Sequence, residues 1–181
     1  MAVDLFRPSE IREILLGPEV LAERVGKLAA QIGRDYAGRP LHLVGVLRGA
    51  VPFLVDLARA LPLADVSFDF LGISSYGQAT ATSGVVRFTK DLDEPIAGRH
   101  VLIVEDIVDT GLTLWYRREH LARRQPETLA VAALLDKPAR RQVPARAEYL
   151  GFTIDDHFVV GYGLDKGGRF RQLPYIGVVD G

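Results

Sequence analysis

The period of apolar and polar positions changes several times along the chain, and each change marks an element. Val20, Leu21, Val25, Leu28, Ala29 and Ile32 recur at three- and four-residue spacing. That spacing predicts an amphipathic helix over 19–37, with Gly38 just past its end. IREILL (11–16), with Ser9 placed to cap it and Gly17-Pro18 to stop it, is expected to be a short helix. LHLVGVL (41–47) is unbroken apolar sequence and predicts a buried parallel strand. RGA interrupts it, and VPFLVDLARAL (51–61) reads as a helix with Pro52 in its first turn. VSFDFLGI (66–73) alternates like a strand, 74–84 is small and polar like a mobile loop, and VVRFTKDL returns as a strand. VLIVED (101–106) and LAVAALLDK (129–137) are further buried strands, separated by the helix LTLWYRREHLARR (112–124). The tail from Glu148 alternates short strands and turns: YLGF, FVVGYGL and YIGVV. The β-α-β-α-β order predicts an α/β protein with a mostly parallel sheet flanked by helices, and a small hood from the chain ends. No repeat or linker interrupts residues 1–181, so a single domain is expected.

Composition narrows the function classes. Lys+Arg number 22 against 23 Asp+Glu, a formal net charge of −1. That balance offers no basic face for phosphate neutralisation, so no nucleic-acid partner is expected. The chain has no cysteine, which excludes disulfides and thiolate metal sites. The N-terminus is charged early and lacks the apolar core of a signal peptide. The most apolar stretch, 41–63, is broken by Arg48, Pro52, Asp56 and Arg59, so no membrane span is expected. Together these point to a cytoplasmic protein. His42, His100, His120 and His157 are scattered without ligand spacing, and none is assigned to zinc or catalysis. Trp115 is expected to pack.

Chemistry concentrates in VLIVEDIVDTGLTL (101–114). Ligands of open α/β sheets bind beyond the carboxyl ends of strands, which is where this sequence turns polar. Thr110, Gly111 and Thr113 open the next helix, whose unpaired N–H groups and dipole suit an anion. No G-x-x-x-x-G-K is present, so this is not a Walker loop. Taken singly, Asp109-Thr110 also reads as a helix cap, and Glu105-Asp106 as loop charges. The whole string, strand before and helix after, reads as a site.

That string resembles the phosphoribosyl-pyrophosphate (PRPP) motif of type I phosphoribosyltransferases, and E-D-I-V-D-T-G-L-T is similar in particular to hypoxanthine-guanine phosphoribosyltransferases. VGVLRGAVPFLVDLAR, SSYGQATATSGVVRFTKDLD, LLDKPARR and FVVGYGLD with RFR and LPYIGVV resemble further segments of that family, in the same order. The resemblance implies the type I fold and transfer of ribose 5-phosphate from PRPP to N9 of a 6-oxopurine, with Mg²⁺. It implies that Ile107, Val108, Asp109, Thr110, Gly111, Leu112 and Thr113 wrap the 5-phosphate, and that Asp109 is the general base. Glu105 and Asp106 would meet the ribose hydroxyls near a metal. Arg48, Gly49 and Arg171 would hold pyrophosphate, with Asp165 on a second Mg²⁺ and beside the purine. Lys137 would donate to the purine O6, Phe158 would stack, and the backbone at Val159 would read the base edge. Ser75, Tyr76 and Gly77 would belong to a mobile loop, and the Leu47–Arg48 peptide would be cis. Gly167 and Gly168, where relatives carry fewer glycines, would loosen the Asp165 loop. A homo-oligomer, dimer or tetramer, is implied as well. The competing readings are a PRPP- or nucleotide-sensing regulatory protein, and the same chemistry on another base.

Overall fold

A computed structural model describes residues 6–74 and 87–180. The chain runs β1 (Ile11–Leu16), α1 (Pro18–Asp35), β2 (Leu41–Leu47), α2 (Val51–Ala60), β3 (Val66–Ser74), β4 (Arg87–Lys90) and β5 (His100–Val108). It continues through α3 (Leu112–Ala122), β6 (Thr128–Asp136), a 3-10 turn (Pro138–Arg140), β7 (Tyr149–Thr153), β8 (Val159–Val160) and β9 (Ile176–Val179).

Six strands form the main sheet in the order β4-β3-β2-β5-β6-β7. All neighbouring pairs are parallel except the edge pair β3–β4. The interior strands read as unbroken apolar runs because both faces are covered: Val101, Leu102, Ile103 and Val104 of β5 are fully buried. After β2 the chain builds β3 and β4 on one side, then crosses back to lay β5 on the other. The order therefore reverses between β2 and β5, and the crevice beyond their carboxyl ends is the place for a ligand. The loops 48–50 and 109–111 leave from that crevice.

IREILL is a strand, not a helix. Six residues are too few for an isolated helix to hold itself together. Ile11 and Ile14 instead suit a pleated surface, and β1 pairs antiparallel with β9, which also pairs with β8. The approach is close: a Cβ on Gly177 would stand 2.7 Å from Cγ2 of Ile11. This three-stranded sheet is the hood expected from the chain ends, with its own small core of Ile11, Val160, Phe170, Leu173, Tyr175 and Val179. Within FVVGYGL only Val159–Val160 is strand, since Gly161 and Gly163 take positive φ and turn the chain. Trp115 does not pack inward: it is 45% exposed, edge-on to Tyr116. No helix among the described residues is long and apolar enough to cross a membrane.

Candidate active site

Strand β5 delivers its carboxylates to different places, because successive residues of a strand point to opposite faces. Asp106 meets the loop after β2. A Cβ on Gly49 would lie 1.5 Å from Asp106 Oδ2, so only glycine lets the two approach. Gly163 stands next in line, at φ +102°, and a Cβ there would strike the Gly49 carbonyl oxygen at 1.9 Å. Gly163 in turn exchanges hydrogen bonds with Arg171: its N–H donates to the Arg171 carbonyl at 3.0 Å, and Arg171 Nη1 donates to its carbonyl. Arg171 Nη2 pairs with Asp165 Oδ1 at 2.6 Å. The loop around Gly49, Asp106, Asp165 and Arg171, far apart in sequence, thus form one contiguous ridge. Arg48 is exposed at its rim, and the Leu47–Arg48 peptide is cis.

Gly167 and Gly168 do not loosen the Asp165 loop. Both take positive φ, and the turn they make lets the Gly168 N–H donate to Asp165 Oδ2 at 2.7 Å. With Arg171 on its other oxygen, Asp165 is held at both ends.

Glu105 points to the other face and is 1% exposed, with Oε1 paired to Arg117 of α3. Burial pushes its carboxyl up to about 7; Arg117 opposes that rise and neighbouring Asp106 adds to it. Burial raises Asp106 as well, against the lowering pull of the Ile107 N–H and of Arg117 and Arg171.

Beyond Val108 lies a cavity of about 240 Å³ lined by residues 106–111 with Thr113, Leu114 and Arg117. Gly111 is the N-cap of α3 at φ +84°, a left-handed position that glycine takes without strain. The first-turn N–H groups of α3 have no intrahelical acceptor. Leu112 is on the outside of the turn, and its N–H lies 3.4 Å from Thr110 Oγ1. The segment after β6 straps this loop: the Lys137 N–H donates to the Val108 carbonyl, and the Gln142 N–H to that of Thr110, each at 2.9 Å.

A second cavity of about 330 Å³ is walled by Lys137, Arg140, Asp156, Phe158, Arg12 and Asp180, with His157, Val178 and Val179 completing it. Lys137 is 5% exposed; its ammonium donates to the His157 carbonyl and lies 3.7 Å from Asp156 Oδ1. Phe158 presents a 45% exposed ring to the cavity. Arg140 of this cavity has its Nε 3.3 Å from Oδ1 of Asp109, which lines the first. Val159 is buried in the β8–β9 pairing, and the Phe158 carbonyl accepts from the Val179 N–H. Asp165 belongs to the ridge. Ser75, Tyr76 and Gly77 lie outside the described residues.

Arg12, Arg117 and Arg140 were not singled out from the sequence. Arg117 had a signal: it falls between Leu114 and Leu121 on the buried stripe of α3, where a charge is out of place. Arg12 was hidden by the wrong period assigned to β1.

The chain matches the phosphoribosyl transferase domain model over residues 12–166. It is 48% identical to a hypoxanthine-guanine phosphoribosyltransferase of Mycobacterium tuberculosis, over 96% of this chain and 88% of that one. It is 44% identical to the enzyme of the same name from Streptococcus pneumoniae, over 94% of each. A hypoxanthine-guanine phosphoribosyltransferase crystal structure from Bacillus anthracis superposes with a TM-score of 0.90 at 45% identity, covering 94% of this chain and all of that one. The crevice between β2 and β5 and the relatives that share the chain almost end to end agree: this protein belongs to the phosphoribosyltransferase family, in its hypoxanthine-guanine branch.

Proposed function

We propose that the protein transfers ribose 5-phosphate from PRPP to N9 of hypoxanthine, and of guanine, giving IMP or GMP and pyrophosphate in purine salvage. The observation that carries this is the pairing of two cavities about one carboxylate. A helix N-terminus faces one cavity, a buried lysine and an exposed aromatic ring face the other, and Asp109 on the wall of the first pairs with Arg140 on the wall of the second.

Each group then has a task its chemistry suits. N–H groups and hydroxyls from Val108 to Thr113 seat the 5-phosphate. Asp106 accepts from the ribose hydroxyls, and Glu105, buried on the other face against Arg117, stands behind it. The Lys137 ammonium donates to O6; adenine carries a donor there and is disfavoured. Phe158 stacks on the purine. Arg171, Arg48 and the backbone at Gly49 receive pyrophosphate as the C1–oxygen bond breaks. Asp109 takes the proton that N9 attack releases, through N7, and offsets positive charge at C1. Asp106 and Asp165 are hard oxygen donors at separate points of the ridge, and each suits its own Mg²⁺, which binds through one or two carboxylates plus substrate phosphates. Bound at Asp165, the second ion would neutralise charge on the departing pyrophosphate. The same reading takes residues 1–181 as one catalytic domain, working in the cytoplasm as a homo-oligomer, a state that light scattering checks.

The test is a spectrophotometric assay with PRPP, Mg²⁺ and each of hypoxanthine, guanine, xanthine and adenine. Product is expected from the first two, and none from any base would sink the reading. Asp109→Asn is expected to lower turnover while PRPP still binds; unchanged turnover would remove Asp109 from its role.

A further inference from the structure

Two carboxylates, Asp106 and Asp109, line the cavity assigned to the 5-phosphate. Arg140 already answers Asp109, at 3.3 Å from its Oδ1, so it is chiefly Asp106 that repels a phosphate dianion there unless a further cation answers. Among the described residues lining that cavity the only cation is Arg117. Its side chain is 13% exposed. Among the described residues only Nη1 finds a partner, Glu105 Oε1 at 2.5 Å, and Nε is buried without one. A guanidinium carries five donors, so most of its capacity is unused.

Stability does not account for this pair. Buried ion pairs gain little over apolar residues of similar volume. An unsatisfied buried polar group costs about 1–3 kcal/mol, and here Glu105 Oε2 and Arg117 Nε are both unsatisfied. The contact occupies a single nitrogen, and the residue already forms cavity wall. Arg117 also rides on α3, the helix whose first turn offers its N–H groups to the same cavity. The cation and the helix start therefore keep a fixed spacing.

We propose that Arg117 is a phosphate-binding residue of this site, held in place by Glu105, which anchors Nη1 and leaves Nη2 for the 5-phosphate of the nucleotide. The inference rests on the phosphoribosyl reading above. It adds a side-chain cation to a seat otherwise made of backbone N–H groups and hydroxyls, and it gives the buried Glu105 a task.

Calorimetric titration of wild type, Arg117→Gln and Arg117→Lys with IMP, inosine and inorganic phosphate tests it. Glutamine keeps a donor for Glu105 and removes the charge. For Arg117→Gln the dissociation constants of IMP and inorganic phosphate are expected to rise roughly 10- to 100-fold, the range of a charge-assisted hydrogen bond. That of inosine, which lacks the phosphate, should change less than about 2-fold. Arg117→Lys should fall between. An equal loss for IMP and inosine would mean that Arg117 only supports the fold, and unchanged IMP affinity would mean that it does not meet the phosphate; either overturns the inference. Wild type that binds no IMP would refute the functional reading itself. If Arg117→Gln melts early, Glu105→Gln with Arg117→Gln gives an uncharged pair on which the same comparison is made.

Discussion

Gly49→Ala is the most direct probe of the ridge between the two loops. The new methyl carbon would start 1.5 Å from Asp106 Oδ2 and 2.6 Å from its Cγ. Carbon and oxygen need about 3 Å or more, so the carboxylate or the Arg48–Gly49 loop must retreat by roughly 1.5 Å. Behind Gly49 stands Gly163, whose own Cα hydrogens already face the Gly49 carbonyl, so the loop has little room on that side. A misplacement of about 1 Å at a reacting centre costs on the order of 100-fold in rate, or about 2.7 kcal/mol of transition-state stabilisation. We expect kcat/KM for PRPP to fall by at least that factor while kcat/KM ratios among purines hold, since Lys137 and Phe158 are untouched. Initial-rate assays over a PRPP series, with thermal melting to confirm folding, give the answer. A cycle adds rigour: once Asp106→Ala has removed the obstructed carboxylate, Gly49→Ala should cost little more. Full activity in Gly49→Ala, or strict additivity with Asp106→Ala, would refute the account.

Lys137→Ala should reduce kcat/KM for hypoxanthine roughly 10- to 150-fold, from the loss of a hydrogen bond to a charged group of about 1.5–3 kcal/mol. It should also narrow the preference over adenine, and an unchanged preference would remove Lys137 from O6. Asp69, 7% exposed, accepts from the Phe70 and Asp93 N–H groups at 2.6 Å each and pairs with Lys90 at 3.1 Å. Burial works to raise its pKa, but these bonds outweigh it and hold the carboxyl below its ordinary value. A lowered pKa contributes stability that is present above pH about 4 and is lost as pH falls through the folded value. Asp69→Asn should therefore cost about 2–3 kcal/mol at pH 7, below the buried-pair range because Lys90 is one-third exposed. Urea unfolding should show that difference shrinking at pH 3; a constant gap would exclude the ionised form as its source. Gly26→Ala, exposed in α1 with nothing within 4 Å of the new carbon, should raise the melting temperature by about 2–4 °C. A fall would mean that α1 is not helical there.

Elements with a strong period were legible without coordinates. The unbroken apolar runs of β2, β5 and β6 and the stripe of α1 come from burial that the sequence itself records. IREILL misled because six residues satisfy a helical and a strand pattern equally, and what decides between them is β9, some 160 residues away. The turn that lines the proposed phosphate cavity was legible because Thr110, Gly111 and Thr113 are local to one strand-to-helix junction. The ridge was not, since nothing local states that Gly49, Gly163 and Arg171 approach Asp106. Likewise an arginine on a helix face gives no sign of its partner until the strand beneath it is in place.

The two backbone hydrogen bonds that tie Val108 and Thr110 to the Lys137 segment work as a ruler. They fix the separation between the proposed phosphate seat and the proposed purine anchor by main-chain geometry, which side-chain substitution leaves untouched. On the proposed function the protein would measure its nucleotide from end to end. A ligand that joins purine and phosphate by a chain of variable length should bind best at one length and fall away on both sides, even with both end groups unchanged.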